Sequence, residues 1–319
     1  MAEIDTLNTV LTSTLTRSRK KLIWAVVKSH VLYAWASAND RVEVEDGGHE
    51  LTNPMIVGRN PNITTYKYYD TLPIQQTDEF TTVKYKWTRM AGSLMISQQE
   101  MDENKGDTKI FDLLSKKMQV LEESIQEKFS TWLYGSGAGT DPNGLGNLVP
   151  ADPTTGTVGD TNRATNTWWR TSAYDFNGTL TASNIEMAWD DISMDLTVKG
   201  EKPDIIIMGR NIWRMYKQAV RDKMVINMPA GSAGKRVFDL GFEGITHEGK
   251  MMVFDEDCPV DTAFWLNSKQ LRLHVLKGVN MRPMNLNAPW NLDVVGKRVV
   301  WQGQWASWKM HRTHARVDN

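Results

Sequence analysis

The sequence lacks most of the simple features that identify disulfide-rich, zinc-binding, membrane or repeat proteins. Its 319 residues include a single cysteine, Cys258, which excludes an intramolecular disulfide framework and a cysteine-rich zinc site. No stretch approaches the roughly 20 uninterrupted apolar residues of a membrane helix, because the best apolar run, Leu22 to Val27, ends at Lys28. There is also no internal repeat and no low-complexity tract. Stability must therefore come from packing or from partners.

Neither sign of charge dominates the sequence. The formal net charge is −1 at pH 7, whereas a dedicated nucleic-acid binder needs a concentrated basic face, so only a weak, non-specific contact with DNA stays open. The one basic patch consists of Arg17, Arg19, Lys20 and Lys21. The apolar run behind this patch leads into polar Lys28-Ser29-His30 rather than a cleavage site, which predicts a cytoplasmic protein.

No constellation of catalytic residues stands out. The glycine-rich run Gly135 to Gly139 follows a helical pattern, whereas phosphate-binding loops lie between a strand and a helix. His311 and His314 lack the carboxylate of a metalloprotease motif, so they are expected to form a surface pair. The acidic run Asp255 to Asp257 beside Cys258 has no histidine nearby to activate the thiol, and a turn explains it more simply. No Gly-x-Ser-x-Gly elbow is present. The sequence therefore predicts a protein that is not an enzyme and has no cofactor or metal site.

Hydrophobic periodicity organises the first half of the chain. A possible helix covers Lys20 to Ala36 in an N-terminal arm. Between Ile63 and Ile96, aromatic and β-branched residues predict the two strands of a long hairpin, joined around Pro73 to Glu79. From Asp107 to Tyr134 apolar residues recur at steps of three and four, which predicts a helix about 40 Å long that ends at Gly135.

The second half begins with a polar segment and continues with alternating helices and strands. Gly135 to Phe176 is rich in Gly, Thr and Asn, and we expect neighbouring chains to hold it in place. Helices are predicted at Ser183 to Val198 and from Asn211, and strands at Asp204 to Met208, Met251 to Phe254, Ala263 to Leu266, Leu271 to Val275 and Val294 to Trp308.

Aromatic residues supply the candidate contact sites. The sequence has 13 Trp, and aromatic residues with one polar edge are enriched at interfaces, although most of these Trp are expected to be core. An isolated hairpin is marginal in water, so the predicted hairpin must lie on another surface, and we expect that surface to belong to a neighbouring subunit. The candidates for inter-subunit contact are Tyr66, Tyr68, Tyr85, Trp87, Trp168, Trp169 and Arg170.

Several short motifs occur in an order that is typical of one family. They are Gly144-Leu145-Gly146-Asn147-Leu148, Asp152-Pro153, Val158-Gly159, Asn166-Thr167-Trp168-Trp169-Arg170, Pro203-Asp204-Ile205-Ile206-Ile207 with Trp213 and Tyr216, and Asp255 to Pro259 followed by Phe264-Trp265-Leu266-Asn267 and Leu271. Together with the order of arm, hairpin, long helix, α/β part and C-terminal strands, they resemble the major capsid proteins of tailed double-stranded DNA bacteriophages. The resemblance covers roughly residues 60 to 319.

The resemblance implies an α+β protein with the Hong Kong 97-like capsid fold. It implies an N-terminal arm (residues 1–60), an extended E-loop hairpin (61–106), a peripheral P-domain with a long spine helix and loop (107–180), an axial A-domain (181–293) and C-terminal P-domain strands (294–319). Such a subunit assembles with itself as pentamers and hexamers into an icosahedral shell around the genome.

The same resemblance implies partners and a location. The virion is the expected location, after assembly in the host cytoplasm and without a membrane, and a portal and decoration proteins are the expected partners. Since no long scaffolding-like segment precedes the arm, a separate scaffolding protein or none is expected. The basic patch of Arg17, Arg19, Lys20 and Lys21 would face the shell interior or an adjacent subunit.

Two alternatives stay open from the sequence. One is an encapsulin-like nanocompartment, which resembles phage capsids in fold but encloses a protein cargo. The other is a hydrolase or transferase whose α/β part begins near Ser183, and it would require a concave polar pocket with perturbed carboxylates.

Overall fold

The computed structural model of the chain describes residues 22–27, 29–58, 60–77, 79–103, 107–198, 200–221, 244–285, 294–311 and 313–319. Its helices are α1 (Val31–Ala38), α2 (Gln98–Glu103), α3 (Asp107–Tyr134), α4 (Leu145–Leu148), α5 (Ile185–Leu196) and α6 (Arg210–Val220). None of the helices in these ranges is long and apolar enough to cross a membrane.

The strands are interspersed with these helices along the chain. They are β1 (Val42–Glu45), β2 (Glu50–Ile56), β3 (Phe80–Lys86), β4 (Thr88–Ser97), β5 (Thr157–Val158), β6 (Thr161–Asn162), β7 (Ser172–Asp175), β8 (Ile205–Met208), β9 (Gly244–His247), β10 (Lys250–Phe254), β11 (Thr262–Leu266), β12 (Leu271–Leu276), β13 (Arg282–Asn285), β14 (Val294–Ser307) and β15 (Ala315–Asp318).

Helix α3 has the bounds that the periodicity predicts. Its apolar side chains Met118, Ile125, Phe129 and Trp132 are buried, because a step of three or four residues keeps them on one face. The helix ends at Gly135, whose N–H donates to the carbonyl of Trp132. Strand β4 passes under α3 at Gly92, where a Cβ atom would lie 2.9 Å from Leu121 Cδ1. The missing side chain at Gly92 therefore allows the helix to approach the sheet closely.

The first sheet is built around β14. Strands run in the order β1-β12-β14-β13, and β4 pairs in addition with β14, from Thr88↔Gly303 to Ser97↔Val294. Two tryptophans of β14 pack against the helices: Trp301 stacks on Trp132 of α3 with ring centroids 6.1 Å apart, and the ring centroid of Trp305 lies 5.4 Å from that of Tyr33 in α1. The tryptophan-rich C-terminal strand thus supplies the aromatic core between this sheet and the helices.

The second sheet has a buried strand at its centre. Its order is β7-β15-β11-β8-β10-β9, with β8 parallel to β10 and antiparallel to β11. The apolar run of β8 is buried on both faces: Ile205 and Ile207 join the core under α3, while Ile206 and Met208 join a second core that includes residues of α5 and α6. This confirms that an uninterrupted apolar strand lies inside the sheet.

The long hairpin differs from its prediction. Strand β3 pairs in antiparallel register with β2, from Ile56↔Phe80 to Glu50↔Lys86, and residues 57–79 form the connection. The prediction of a first strand near Tyr66 and Tyr68 is therefore wrong. Those residues alternate as in a strand, but no partner strand pairs with them in the described part of the chain.

The predicted N-terminal helix is interrupted, and the first sheet contains strands from more than one predicted domain. Residues 22–27 are helical, but His30 interrupts the pattern in an extended conformation and caps α1, so the predicted single helix from Lys20 to Ala36 is divided. Strands β12 and β13, placed in the predicted A-domain, pair in the first sheet with β14. The sheets cross the predicted limits, and the division into domains stays a prediction.

Candidate assembly surface

The connection between β2 and β3, residues 57–79, is the most exposed apolar part of the described chain, and we call it the long loop. Tyr68 is 100% exposed, Ile74 93% and Ile63 85%. Further exposed apolar side chains of the loop and of the strand ends that carry it are Ile56, Tyr66, Tyr69, Leu72 and Phe80. An apolar surface of this kind normally marks a contact with another molecule.

The long loop is ordered by its own polar side chains. Asn62 Nδ2 donates to the carbonyl of Gln75 at 2.8 Å, and the Gln75 N–H donates to Asn62 Oδ1 at 2.9 Å. At the turn, the Lys67 N–H donates to Asp70 Oδ2 at 2.8 Å. Asn and Asp side chains commonly replace a main-chain partner in this way. The loop therefore presents its apolar side chains from a defined scaffold.

The stem of the loop is anchored inside the chain. Tyr85 is 2% exposed, and its hydroxyl donates to the carbonyl of Ser307 at 2.7 Å. The Trp87 indole N–H donates to the carbonyl of Gly48 at 3.0 Å, and this side chain is half-buried. Beside them the Lys84 N–H donates to the carbonyl of Gly159, in the turn between β5 and β6.

The candidate contact residues therefore divide into two groups. Tyr66 and Tyr68 are exposed, so their contact with a neighbour stays a prediction. Tyr85 is covered by its own chain, and its prediction as an inter-subunit residue is wrong. Half-buried Trp87 is bonded within the chain through its indole N–H. The basic patch of Arg17, Arg19, Lys20 and Lys21 lies outside the described residues.

The polar segment after α3 is held by its own chain. Trp169 is fully buried, and its indole N–H donates to the carbonyl of Val158 at 2.8 Å, so its prediction as an inter-subunit residue is wrong. Half-buried Arg170 donates to the carbonyls of Arg163 and Ala164. Trp168 is half-buried beside Trp169. Neighbouring chains are not needed to hold the core of this segment, contrary to the sequence-based expectation.

Arg163 is the internal anchor of the polar segment. Its guanidinium donates to the carbonyl oxygens of Asn147 and Leu148 at 3.0 and 2.6 Å. These carbonyls lie at the end of α4, where the helix leaves acceptors unpaired. The side chain is 1% exposed, and its burial lowers the pKa of Arg163 to about 10. A single sequence does not distinguish such a buried arginine from a surface one.

Titratable groups cluster at two further places. Glu43, Glu45 and His274 place one carboxylate or imidazole atom each within 4.8 Å of one another, but Arg272 pairs with Glu43, and Glu45 accepts a hydrogen bond from His274 at 3.0 Å. The cluster is an ion-pair network between β1 and β12. Burial lowers the pKa of His274, while the bond to Glu45 opposes that shift.

The second place lies between α5 and the β9–β10 hairpin. Lys250 Nζ lies 2.6 Å from Ser193 Oγ and 2.8 Å from Glu248 Oε2, and it holds the pKa of Glu248 at about 2. A serine beside a lysine can act as a nucleophile, but Ser193 is 4% and Lys250 1% exposed, so neither is open to a substrate. Cys258 is buried as well, and burial raises the pKa of its thiol, which disfavours the reactive thiolate.

Comparison with known proteins rests on structure. No protein-family model and no curated protein sequence matches the chain. The capsid of cyanophage A-1(L) matches with a TM-score of 0.59 at 14% identity, over 87% of this chain and 90% of that one. The capsid of Myoviridae phage XM1 matches with a TM-score of 0.56 at 9% identity, over 89% and 92%. The chain has the Hong Kong 97-type capsid fold.

An encapsulin is also similar to this chain in fold. The SrpI encapsulin of Synechococcus elongatus matches with a TM-score of 0.54 at 10% identity, over 87% of this chain and 84% of that one. The fold confirms the α+β prediction with a long helix against sheets. The assignment of α3 as a spine helix and of the long loop as an E-loop stays a prediction.

Sequence reasoning missed part of the surface. Tyr69, Leu72 and Ile74 were not singled out, although they follow Tyr68 within a few residues. The sequence does carry a signal for this surface. Several large apolar residues lie close together among polar residues that favour turns, and they do not form the uninterrupted or alternating pattern of a buried strand.

Proposed function

We propose that this chain is the major capsid protein of a tailed bacteriophage, and that its copies assemble as pentamers and hexamers into an icosahedral shell around double-stranded DNA. The long loop on a capsid fold is the observation that carries the proposal. A loop with so many exposed apolar side chains is costly for a monomer in water, whereas a shell covers it with a second copy of the same chain.

The energetics favour a repeated contact of moderate strength. Burying a large apolar side chain stabilises by roughly 1.5–3 kcal/mol, and part of that gain is offset by the ordering of the partners. Because Asn62 and Gln75 already order the loop, less entropy is lost when it docks. Many identical contacts of this strength close a shell even though each is reversible.

An encapsulin-like shell is the second candidate function. The similarity to the SrpI encapsulin favours it, and self-assembly through the long loop serves both functions equally. The candidates differ in what the shell encloses, which is DNA for a phage and protein for a nanocompartment.

The remaining partners belong to the same proposal. A portal, decoration proteins and either a separate scaffolding protein or none are the partners of such a shell, and the packaged DNA makes weak contacts with its interior. Assembly would take place in the host cytoplasm and the protein would reside in the virion. Replacing Arg17, Arg19, Lys20 and Lys21 by Gln should then alter DNA retention in a salt-dependent way, and unchanged retention at every salt concentration would assign the patch to a solvated surface.

The contents of native particles test the proposal. Particles that contain this chain are isolated on a density gradient, treated with nuclease and then opened with protease and detergent. The capsid function predicts nuclease-protected double-stranded DNA and one vertex that carries a tail. Particles without DNA that contain a stoichiometric second protein would contradict it and support the encapsulin-like function.

A further inference from the structure

Helices α5 and α6 lie side by side on one face of the second sheet. Trp189 of α5 stacks on Tyr216 of α6 with ring centroids 6.5 Å apart, and both side chains are buried in the second core. Because the apolar side of each helix faces this core, the opposite side faces solvent. At 1.5 Å per residue, α5 is about 18 Å long and α6 about 16 Å. The two helices therefore present exposed faces of similar length.

The exposed face of α5 is acidic and carries two methionines. Every charged residue of this helix is an aspartate or a glutamate. Asp191 and Asp195 are exposed, and Met187 and Met194 are 72% and 67% exposed. The steps of four and three residues from Met187 through Asp191 to Met194 place these side chains on one side of the helix. We call these four residues the acidic face.

The exposed face of α6 has the opposite charge. Every charged residue of this helix is an arginine or a lysine. Arg210, Arg214 and Gln218 are exposed, and exposed Arg221 directly follows the helix. Their steps of four, four and three residues form one stripe, which we call the basic face. Half-buried Met215 lies beside this stripe.

The two faces do not neutralise each other within one chain. Asp191, Arg210 and Arg214 make no ion pair within the part of the chain that the structure describes. Asp195 accepts a hydrogen bond from the Tyr174 hydroxyl at 3.3 Å, which leaves its charge uncompensated by that partner. Like charges four residues apart destabilise a helix, and both helices carry such a pair. A solvated helix face commonly mixes both signs, as α3 does with glutamates and lysines.

We propose that the acidic face of α5 docks on the basic face of α6 in the next copy of the chain, so that copies join head to tail around a ring. This contact rests on the proposed function, because pentamers and hexamers are rings of copies. A contact between two different patches leaves one patch of each kind free at the ends of a row. The row therefore continues until the rotation between copies closes it.

The chemistry of the two faces fits a second copy of the chain. Each copy brings one acidic and one basic face, so every contact in the ring pairs opposite charges. Complementary charge sets the register of an interface and excludes wrong partners. Met187 and Met194 supply apolar area beside the charges, and methionine is enriched in interfaces because its flexible side chain adapts to the partner.

Two charge-reversed variants of the full chain test the contact. The acid-reversed variant carries Asp191→Lys and Asp195→Lys, and the base-reversed variant carries Arg210→Glu and Arg214→Glu. In either variant alone the two docking faces have the same sign. The assembled fraction of each, measured by sedimentation velocity, should therefore fall more than tenfold below that of the parent chain.

Mixing the two variants separates docking from folding. In the mixture, the lysines of one variant meet the arginines' glutamate replacements on the other, and the unchanged faces meet in the same way, so assembly should return. Native mass spectrometry should then detect hexamers with equal numbers of the two variants and no pentamers, because an odd ring cannot alternate. Misfolded chains would not rescue each other. A mixture that stays unassembled, or that stops at two-fold dimers, would overturn the proposal.

A matched control changes the same charge on another helix. Glu123 and Glu127 are also exposed and four residues apart, on α3, and Glu123→Lys with Glu127→Lys should assemble as the parent chain does. An equal loss of assembly in this control would overturn the proposal, because any change of net charge would then suffice. Charge-reversed variants that assemble at the parental level would overturn the head-to-tail contact and leave the capsid function intact. A parent chain that never assembles would contradict the capsid function itself, and the contact with it.

Discussion

The hydroxyl of Tyr134 donates a hydrogen bond of 2.6 Å to Oδ2 of Asp255. The bond joins the last turn of α3 to the turn after β10, and Asp255 is 4% exposed. Tyr134→Phe would leave a carboxylate oxygen buried without this donor, which typically costs about 1–3 kcal/mol. We expect a lower midpoint of denaturant unfolding for the soluble subunit, followed by tryptophan fluorescence.

Tyr69→Phe is the control for this prediction. Tyr69 is fully exposed in the long loop, so removal of its hydroxyl should leave the midpoint unchanged. If the two variants unfold at the same denaturant concentration as the parent chain, the buried bond does not stabilise the junction.

Gly209 marks a close approach between two loops. A Cβ atom there would lie 2.0 Å from the carbonyl oxygen of Pro259, and main-chain atoms cannot give way as a flexible side chain can. We expect Gly209→Ala to destabilise the fold by about 1–3 kcal/mol or more, because overpacking a close contact typically costs that much. Gly47→Ala is the matched control, because no atom lies within 4 Å of its added methyl group. Equal thermal midpoints for the two variants would refute the close approach.

Because His314 is buried, we expect the free energy of unfolding of the protein to fall in acid. Burial lowers its pKa from 6.5 to about 3, so the unfolded chain takes up a proton at higher pH than the folded chain does. The stabilisation of the folded state by the neutral His314 ring is therefore fully present above about pH 6.5, and it is lost as the pH falls towards about 3. The free energy of unfolding of His314→Gln, measured between those values, should fall less steeply with acid than that of the parent chain. Identical slopes would show that another group governs the acid limb.

The long loop should control assembly without controlling folding. Tyr68 and Ile74 are exposed in the single chain, so replacing both by Ser removes apolar surface that only a partner covers. We expect the assembled fraction, measured by sedimentation velocity, to fall more than tenfold, since each side chain contributes roughly 1.5–3 kcal/mol when buried. The unfolding midpoint should not change.

Val260→Ser provides the comparison for the loop variant, because Val260 is also an exposed apolar residue but lies outside the loop. It should assemble as the parent chain does. Assembly of the loop variant at parental levels would remove the long loop from the interface.

The regular elements were predictable from sequence because their periodicity is local. Helix α3 begins and ends as predicted, since its apolar residues repeat over 28 residues and Gly135 stops it. Strand β8 was predictable for a related reason, because three consecutive β-branched isoleucines directly after Pro203-Asp204 favour a short strand that is buried on both faces. The pairing of β2 with β3 was not, because register depends on residues far apart and Pro54 in β2 hides the strand pattern.

The contact residues were predictable only in part. Tyr68 and Tyr85 both lie in segments rich in aromatic residues. Tyr68 is nevertheless exposed, whereas Tyr85 is covered by Ser307 and Trp308. Covering depends on tertiary contacts that a single sequence does not reveal. His314 was expected on the surface for the same reason, and the structure buries it because Ser307 and Asn267 supply both of its hydrogen-bond partners.

Electron microscopy of the purified full-length chain tests the central claim most directly. The chain is expressed alone, purified and imaged without fixation, with the Tyr68→Ser and Ile74→Ser double variant prepared in parallel. The capsid function predicts closed icosahedral shells, or pentamers and hexamers of the chain where a scaffold is required, in which a neighbouring copy covers the long loop. A parent chain that stays monomeric at every concentration and ionic strength, with the loop exposed to solvent, would contradict the account.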